Sequence, residues 1–219
     1  MSKPFTDAWG FSKLDTYRTC PQKFFYQFVA KLPQPGSAAM DRGSKMHENI
    51  EMYLNGWTQE LLPELGEWKE QLDELKKKDF KAEQALGFDK NWKLLSDWFQ
   101  PGVWLRAKMD AKYIEDGKLV VIDFKSGKYR LPSTEQVELY AVAGSAMHPE
   151  IETVVAEFWF LDTGDFYKRE YTKAALLDLR KQYENYVRPI YADTVWTPAP
   201  SAECRWCSYS KTKGGKCRF

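Results

Sequence analysis

Leu119-Val120-Val121-Ile122-Asp123-Phe124-Lys125-Ser126-Gly127 is the stretch around which the rest of the chain is organised. Residues 119–125 have the apolar, β-branched composition of a buried strand, and Gly117 just upstream marks a turn. Side chains alternate across a strand, so Asp123 and Lys125 share one face while Ile122 and Phe124 share the other. A carboxylate and an ammonium at the end of an otherwise apolar strand are costly to bury unless something uses them. Working outward, Val103 to Ile114 reads as a preceding strand with Asp110 near its end. Glu115-Asp116-Gly117 reads as the turn of a hairpin that would bring Asp110 beside Asp123. Two acids and a lysine converging at strand ends are the parts that metal-assisted phosphodiester cleavage needs. Acids hold a hard divalent cation through oxygen, and a lysine orients water and offsets developing charge.

With 219 residues, 43% of them hydrophobic and 29% charged, the chain is long enough for one domain with a real core. Aromatic content of 16%, including nine Trp, suits either core packing or base stacking. The formal charge of +1 gives no global basic signature, so any nucleic-acid contact must come from local patches. No apolar run is long enough to span a membrane, which excludes a helical membrane anchor as an expectation. The N-terminal residues lack the apolar core of a signal peptide, so a cytoplasmic protein is expected. Cysteines in such a setting are metal ligands or free thiols more often than disulfides.

Along the chain, Ser12 with Asp15 resembles a capping box on a first short helix, which Pro21 ends while starting a second. A Pro- and Gly-rich loop, Lys31 to Ala39, precedes a helix from about Asp41 to Leu54 with Met46, Ile50, Tyr53 and Leu54 as its apolar stripe. His47 lies one position off that stripe. Thr58–Lys78 has helical spacing, broken near Pro63 and Gly66. Phe80–Phe88 reads as a strand carrying Glu83; Asn91–Phe99 fits either a helical face or a strand and turn. After Pro132-Ser133 a helix is expected over about Thr134–Met147, with Gln136 and Tyr140 on one face. Ile151–Asp162 and Phe166–Tyr171 read as strands, and Lys173 to about Tyr191 as an amphipathic helix.

Cys204-x-x-Cys207 followed by Cys217 forms a trio in a turn-rich tail, and Cys20 stands far upstream. Four thiolates can close a tetrahedral Zn²⁺ site or hold a [4Fe–4S] cluster, and this distribution would clasp the two chain ends together.

The set resembles the RecB-like branch of PD-(D/E)XK nucleases that carries an iron–sulfur staple, as in CRISPR-associated RecB-type exonucleases and the nuclease domain of the AddB recombination subunit. The matching pieces run in family order: Ser12-x-Leu14-x-x-Tyr17-x-x-Cys20-Pro21-x-x-Phe24-x-Tyr26, Arg42-Gly43-x-x-x-His47, Asp110, Asp123-x-Lys125-x-Gly127, Gln136-x-x-x-Tyr140, and the C-terminal trio. Asp123 stands where many members have Glu. The resemblance implies an α/β (α+β) fold with a restriction-endonuclease-like core, a mixed central β-sheet flanked by helices. It implies a single domain over residues 1–219, with 1–40 and 196–219 as the staple around a 41–195 nuclease core. His47, Asp110, Asp123 and the backbone carbonyl of Phe124 would ligate Mg²⁺ or Mn²⁺, the imidazole favouring Mn²⁺. Lys125 would position the attacking water, and Gln136 and Tyr140 would brace the site or touch the phosphate backbone. Glu83 is a further candidate acid, and Arg42 and Lys108 are candidates for phosphate contacts. Cys20, Cys204, Cys207 and Cys217 would hold the [4Fe–4S] cluster, with Zn²⁺ as the alternative. The implied activity is exonucleolytic degradation of DNA, mainly single-stranded and 5′ to 3′, with possible endonuclease activity. No Walker-type phosphate loop is present, so the chain lacks a helicase motor and would act alone or beside a separate helicase, or recombination or CRISPR proteins; a phage-encoded protein would work in the host-cell cytoplasm. The rival expectation is a non-catalytic DNA-binding or adaptor module.

Overall fold

The computed structural model describes residues 4–127 and 134–219; Pro132-Ser133, ahead of the expected helix, lies outside them. The chain divides into two compact units, residues 37–181 and a second made of residues 1–36 with 182–219.

The larger unit is built on a sheet in the order β1 (Lys81–Phe88), β2 (Leu105–Glu115), β3 (Lys118–Lys125), β4 (Thr153–Phe160) and β5 (Asp165–Thr172). β3 and β4 are parallel and the other neighbours antiparallel, so the sheet is mixed. The β2–β3 hairpin turns on Asp116 and Gly117, whose φ of 49° and 72° supply the left-handed pair that a tight two-residue turn needs. This turn sets the register Glu115↔Lys118 through Ala111↔Ile122 and places Asp110 and Asp123 opposite each other just beyond the paired stretch.

Alternation along β3 gives each face its cover. Val120, Ile122 and Phe124 join one core with Met46, Ile50, Tyr53 and Leu54 of α3 (Ala38–Leu54) and Leu72 and Leu75 of α4 (Lys69–Lys76). On the opposite face α5 (Glu135–Met147), which joins the parallel pair β3 and β4, packs closely. A Cβ on its Gly144 would lie 2.7 Å from Leu119 and 3.4 Å from Val121. α3 begins three residues earlier than its apolar stripe predicts, because Ser37 accepts the Met40 N–H and caps it. Residues 58–78 yield a 3₁₀ turn, Pro63–Trp68, before α4; proline suits the start of that turn. Asn91–Phe99 forms no helix; turns dominate it, with one antiparallel bridge from Leu94 to Phe88. Asp89 Oδ1 accepts the N–H groups of Asn91 and Lys93, and Asp97 Oδ1 that of Phe99, so side chains build turns in place of a ladder.

In the smaller unit α1 (Phe11–Thr19) has Gly10 at its N-cap with no side-chain bond, so the expected Ser12–Asp15 capping box is not formed. Cys20 adopts extended φ,ψ at the junction with α2 (Pro21–Phe24). The last helix, α6 (Lys173–Ala192), begins in the larger unit and ends in this one. Phe24 stacks on Trp196 with centroids 5.5 Å apart, and Trp9 packs on Tyr183. Trp9, Trp68, Trp92 and Trp196 are fully buried, so much of the high tryptophan content serves packing. No helix among the described residues is long and apolar enough to cross a membrane.

Candidate active site

The β2–β3 ladder runs only as far as Ala111↔Ile122, and at that point side chains take over from backbone. The Phe124 N–H donates to Asp110 Oδ2 at 2.7 Å, so the carboxylate replaces the missing ladder acceptor and ties β2 to β3. The register of β1 puts Glu83 opposite Asp110, between the pairs Ala82↔Ala111 and Gln84↔Met109. Glu83 has φ of 50°, a left-handed conformation that a non-glycine residue adopts inside a strand only under constraint from its surroundings.

From α3, His47 reaches the same point. Its Nδ1 lies 3.2 Å from Asp110 Oδ1 and 3.8 Å from Glu83 Oε1. Two contacts seat the helix. Arg42 forms a two-pronged ion pair with Asp162 beyond β4, at 3.0 and 2.6 Å. One residue on, a Cβ at Gly43 would stand 2.7 Å from Ser126 Oγ, so glycine allows α3 to approach the loop after β3. The spacing Arg42-Gly43-x-x-x-His47 thus anchors one turn of α3 and projects the imidazole from the next.

Asp123 and Lys125 lie on one face, as strand alternation requires. Lys125 Nζ stands 2.6 Å from Asp123 Oδ2 and donates to Gln136 Oε1 at 2.7 Å, and the Gln136 amide donates to Tyr140 OH at 2.8 Å. Burial raises the Asp123 carboxyl to about 7, against the opposing pull of the Lys125 charge; the Asp110 charge adds to the rise. Burial alone would lower the His47 imidazole, but its bonds to Asp110 and Glu83 win and raise it to about 10. Burial, then the charge of Asp123, holds the Tyr140 phenol far above its ordinary range, so it acts as a neutral hydrogen-bonding group.

His47, Glu83 and Asp110 each offer an atom, and the three lie within 4.8 Å of one another. Glu83 Oε2 and Asp123 Oδ2 are buried and accept no well-formed hydrogen bond among the described residues, though each faces a lysine ammonium, Lys108 and Lys125 respectively. One imidazole nitrogen with several carboxylate oxygens is a donor set for a divalent cation of the Mg²⁺–Mn²⁺ kind, and these residues fit it. Of the expected ligands, His47 and Asp110 stand in this compact group; Asp123 is outside it, though the charges of Asp110 and His47 act on its carboxyl. The Phe124 side chain is buried in the core. Glu83 joins the group although its residue type and strand setting give no sign of it; only its register opposite Asp110 does. Arg42 and Lys108 are engaged by Asp162 and Glu83, so neither offers an unpaired cation to phosphate.

All four cysteines are free thiols in the smaller unit and line one pocket together with Tyr26. Cys20 Sγ accepts the Ala199 N–H and Cys204 Sγ the Ser201 N–H, at 3.4 and 3.5 Å. Among the described residues no three of the sulfurs lie within 4.8 Å of one another.

The sequence pattern of the PD-(D/E)XK nuclease superfamily matches residues 8–212, and the chain belongs to that superfamily. Nucleases of this superfamily use divalent metals, and the His47–Glu83–Asp110 group is where this chain could hold one. No curated protein matches the sequence. Among solved structures, one from Eubacterium rectale, provisionally named an exonuclease, has 14% identity and a TM-score of 0.53, covering 91% of this chain and 86% of its own. Another, named SSO0001, has 13% identity and a TM-score of 0.48, covering 93% of this chain and 84% of its own. At such identities the first likeness speaks for the fold alone, which agrees with the mixed sheet flanked by helices.

Proposed function

We propose that the protein is a divalent-metal-dependent exonuclease acting on single-stranded DNA, of the RecB-like branch that carries an iron–sulfur staple. The observation that carries the nuclease reading is the convergence of His47, Glu83, Asp110, Asp123 and Lys125, of which His47, Glu83 and Lys125 line an open cleft together with Gly43, Ser126 and Gln136. A bound cation would supply an acidified water and a polarised phosphoryl oxygen. The chain's own residues do the rest. Asp123 and Gln136 hold the Lys125 ammonium from two sides, and Tyr140 steadies Gln136, so the ammonium is fixed before substrate arrives. Lys125 then orients the attacking water and offsets charge on the pentavalent phosphorus.

A single-stranded substrate is supported by Phe99, 77% exposed on the turn pinned by Asp97. The Arg106 guanidinium lies 5.4 Å from its ring centroid, on the β2 face shared by Lys108 and Asp110. The exonuclease assignment draws on the name of the E. rectale neighbour. The iron–sulfur assignment draws on the pocket shared by four cysteines.

Incubation of end-labelled linear and circular single-stranded DNA with Mn²⁺ tests the reading. Loss of linear DNA alone, abolished by Asp123→Ala and Lys125→Ala, is the expected result, and the label reports polarity. Loss of circles at the same rate would replace exonuclease with endonuclease. No cleavage by the wild type would favour the adaptor reading.

A further inference from the structure

The most basic stretch of the chain that is free of acidic residues lies in its tail. Cys204–Phe219 contain five of the 32 basic residues and none of the 31 acidic ones. Arg205, Lys211, Lys213, Lys216 and Arg218 are all exposed, and among the described residues none faces a carboxylate at ion-pair distance. Some exposed lysines elsewhere do find partners, as Lys69 does in Asp73 and Lys118 in Glu170. Trp206 is 67% exposed in the same segment, with the Arg205 guanidinium 5.3 Å from its ring centroid.

The backbone that carries these side chains is fixed. Cys217 N–H donates to Tyr209 O, Gly215 N–H to Ser210 O, and Lys211 N–H to Phe219 O. Gly215 packs so tightly that a Cβ there would stand 2.3 Å from the Tyr209 backbone. The cations therefore project from a closed knuckle, and their mutual repulsion is not relieved from within it. An array of like charges displayed rigidly beside an exposed indole has the composition of a surface for single-stranded nucleic acid, with cations for phosphates and a ring for a base.

We infer that the cysteine-bearing C-terminal knuckle is a second nucleic-acid-binding surface, in which Lys211, Lys213 and Lys216 grip phosphates and Trp206 stacks on a base. That the polyanion is DNA rests on the nuclease reading; the surface itself is argued from charge and exposure.

The test is fluorescence anisotropy of a labelled oligodeoxythymidylate with the full chain, in chelator so that nothing is cleaved, over a series of salt concentrations. Replacing the three lysines by Ala lowers affinity about tenfold or more and reduces the log–log salt slope by about 2, given roughly 0.7 per phosphate contact on a single strand. Replacing them by Arg keeps both. Trp206→Ala weakens binding about tenfold while leaving the slope unchanged. A wild type that binds DNA, with Ala variants of wild-type affinity and slope, would overturn the inference and leave the nuclease reading standing. A wild type that binds an acidic polypeptide but no DNA would overturn both.

Discussion

In the metal-free protein His47 holds a proton that a cation must displace. Its native pKa of about 10 lies above the ordinary 6.5, because Asp110 and Glu83 outweigh the effect of burial; that of Asp123, about 7, lies above 3.8 because burial outweighs Lys125. The folded state therefore binds more of these protons than the unfolded chain. The stability that His47 contributes is complete below pH 6.5 and is lost as pH rises towards about 10. Melting temperatures in chelator should fall across that window more steeply for the wild type than for His47→Ala; parallel profiles would contradict the assignment. Cation binding should release protons, so apparent Mn²⁺ affinity rises with pH, which calorimetry in buffers of different ionisation enthalpy reads directly. Lys125→Ala should lower turnover roughly 10²- to 10³-fold, the scale of losing one preorganised charge-stabilising group, while Gln136→Ala, acting only through Lys125, loses less. Comparison of kcat and KM for the two separates these roles. Among the candidate site residues, strand and helix periodicity makes legible that Asp123 shares a face with Lys125 and Gln136 with Tyr140, and the hairpin turn that Asp110 lies beside Asp123. Glu83 reads from the sequence only as a further candidate acid, because its place depends on β1 register and a φ of 50° that no local pattern announces.

The element that seats Lys125 is α5, and it approaches β3 at Gly144. A larger residue there would press on Leu119 and Val121 in a packed layer. Gly144→Val is expected to cost about 1–3 kcal/mol by overpacking, read from chemical denaturation. Because α5 also carries Gln136 and Tyr140, activity should fall with it; an unchanged stability would show that the layer yields. The elements that a chain reader could place were those with a strong period or a strong turn: the Asp116-Gly117 hairpin, the stripe of α3 and the helix at Glu135–Met147. Asn91–Phe99 resisted because its shape comes from Asp89 and Asp97 accepting nearby N–H groups, a contest between side chain and ladder that composition leaves open. Ser12 misleads for a related reason: a plausible capping residue lies inside the helix, two residues past the true cap at Gly10.

At the scale of the molecule, the chain separates into a unit of residues 37–181, which carries the candidate site, and a unit made from both termini, which carries all four cysteines. If those thiols hold an iron–sulfur cluster, the purified protein is brown, and Cys204→Ala loses the colour together with folded yield and activity. A colourless protein containing stoichiometric zinc would contradict the iron–sulfur reading, and a folded, fully active Cys204→Ala variant would contradict a structural role. The cysteine pattern was legible from spacing, whereas the cationic surface around it was hidden by a net charge of +1 for the whole chain. The central claim is that cleavage depends on a cation held by His47, Glu83 and Asp110. It is met most directly by titrating Mn²⁺ into one preparation while following both metal occupancy, by electron paramagnetic resonance, and release of nucleotides from linear single-stranded DNA. The prediction is that cleavage rises in step with occupancy and that Asp110→Asn abolishes both. Cleavage that persists in Asp110→Asn, or occupancy unchanged by it, would place the chemistry elsewhere.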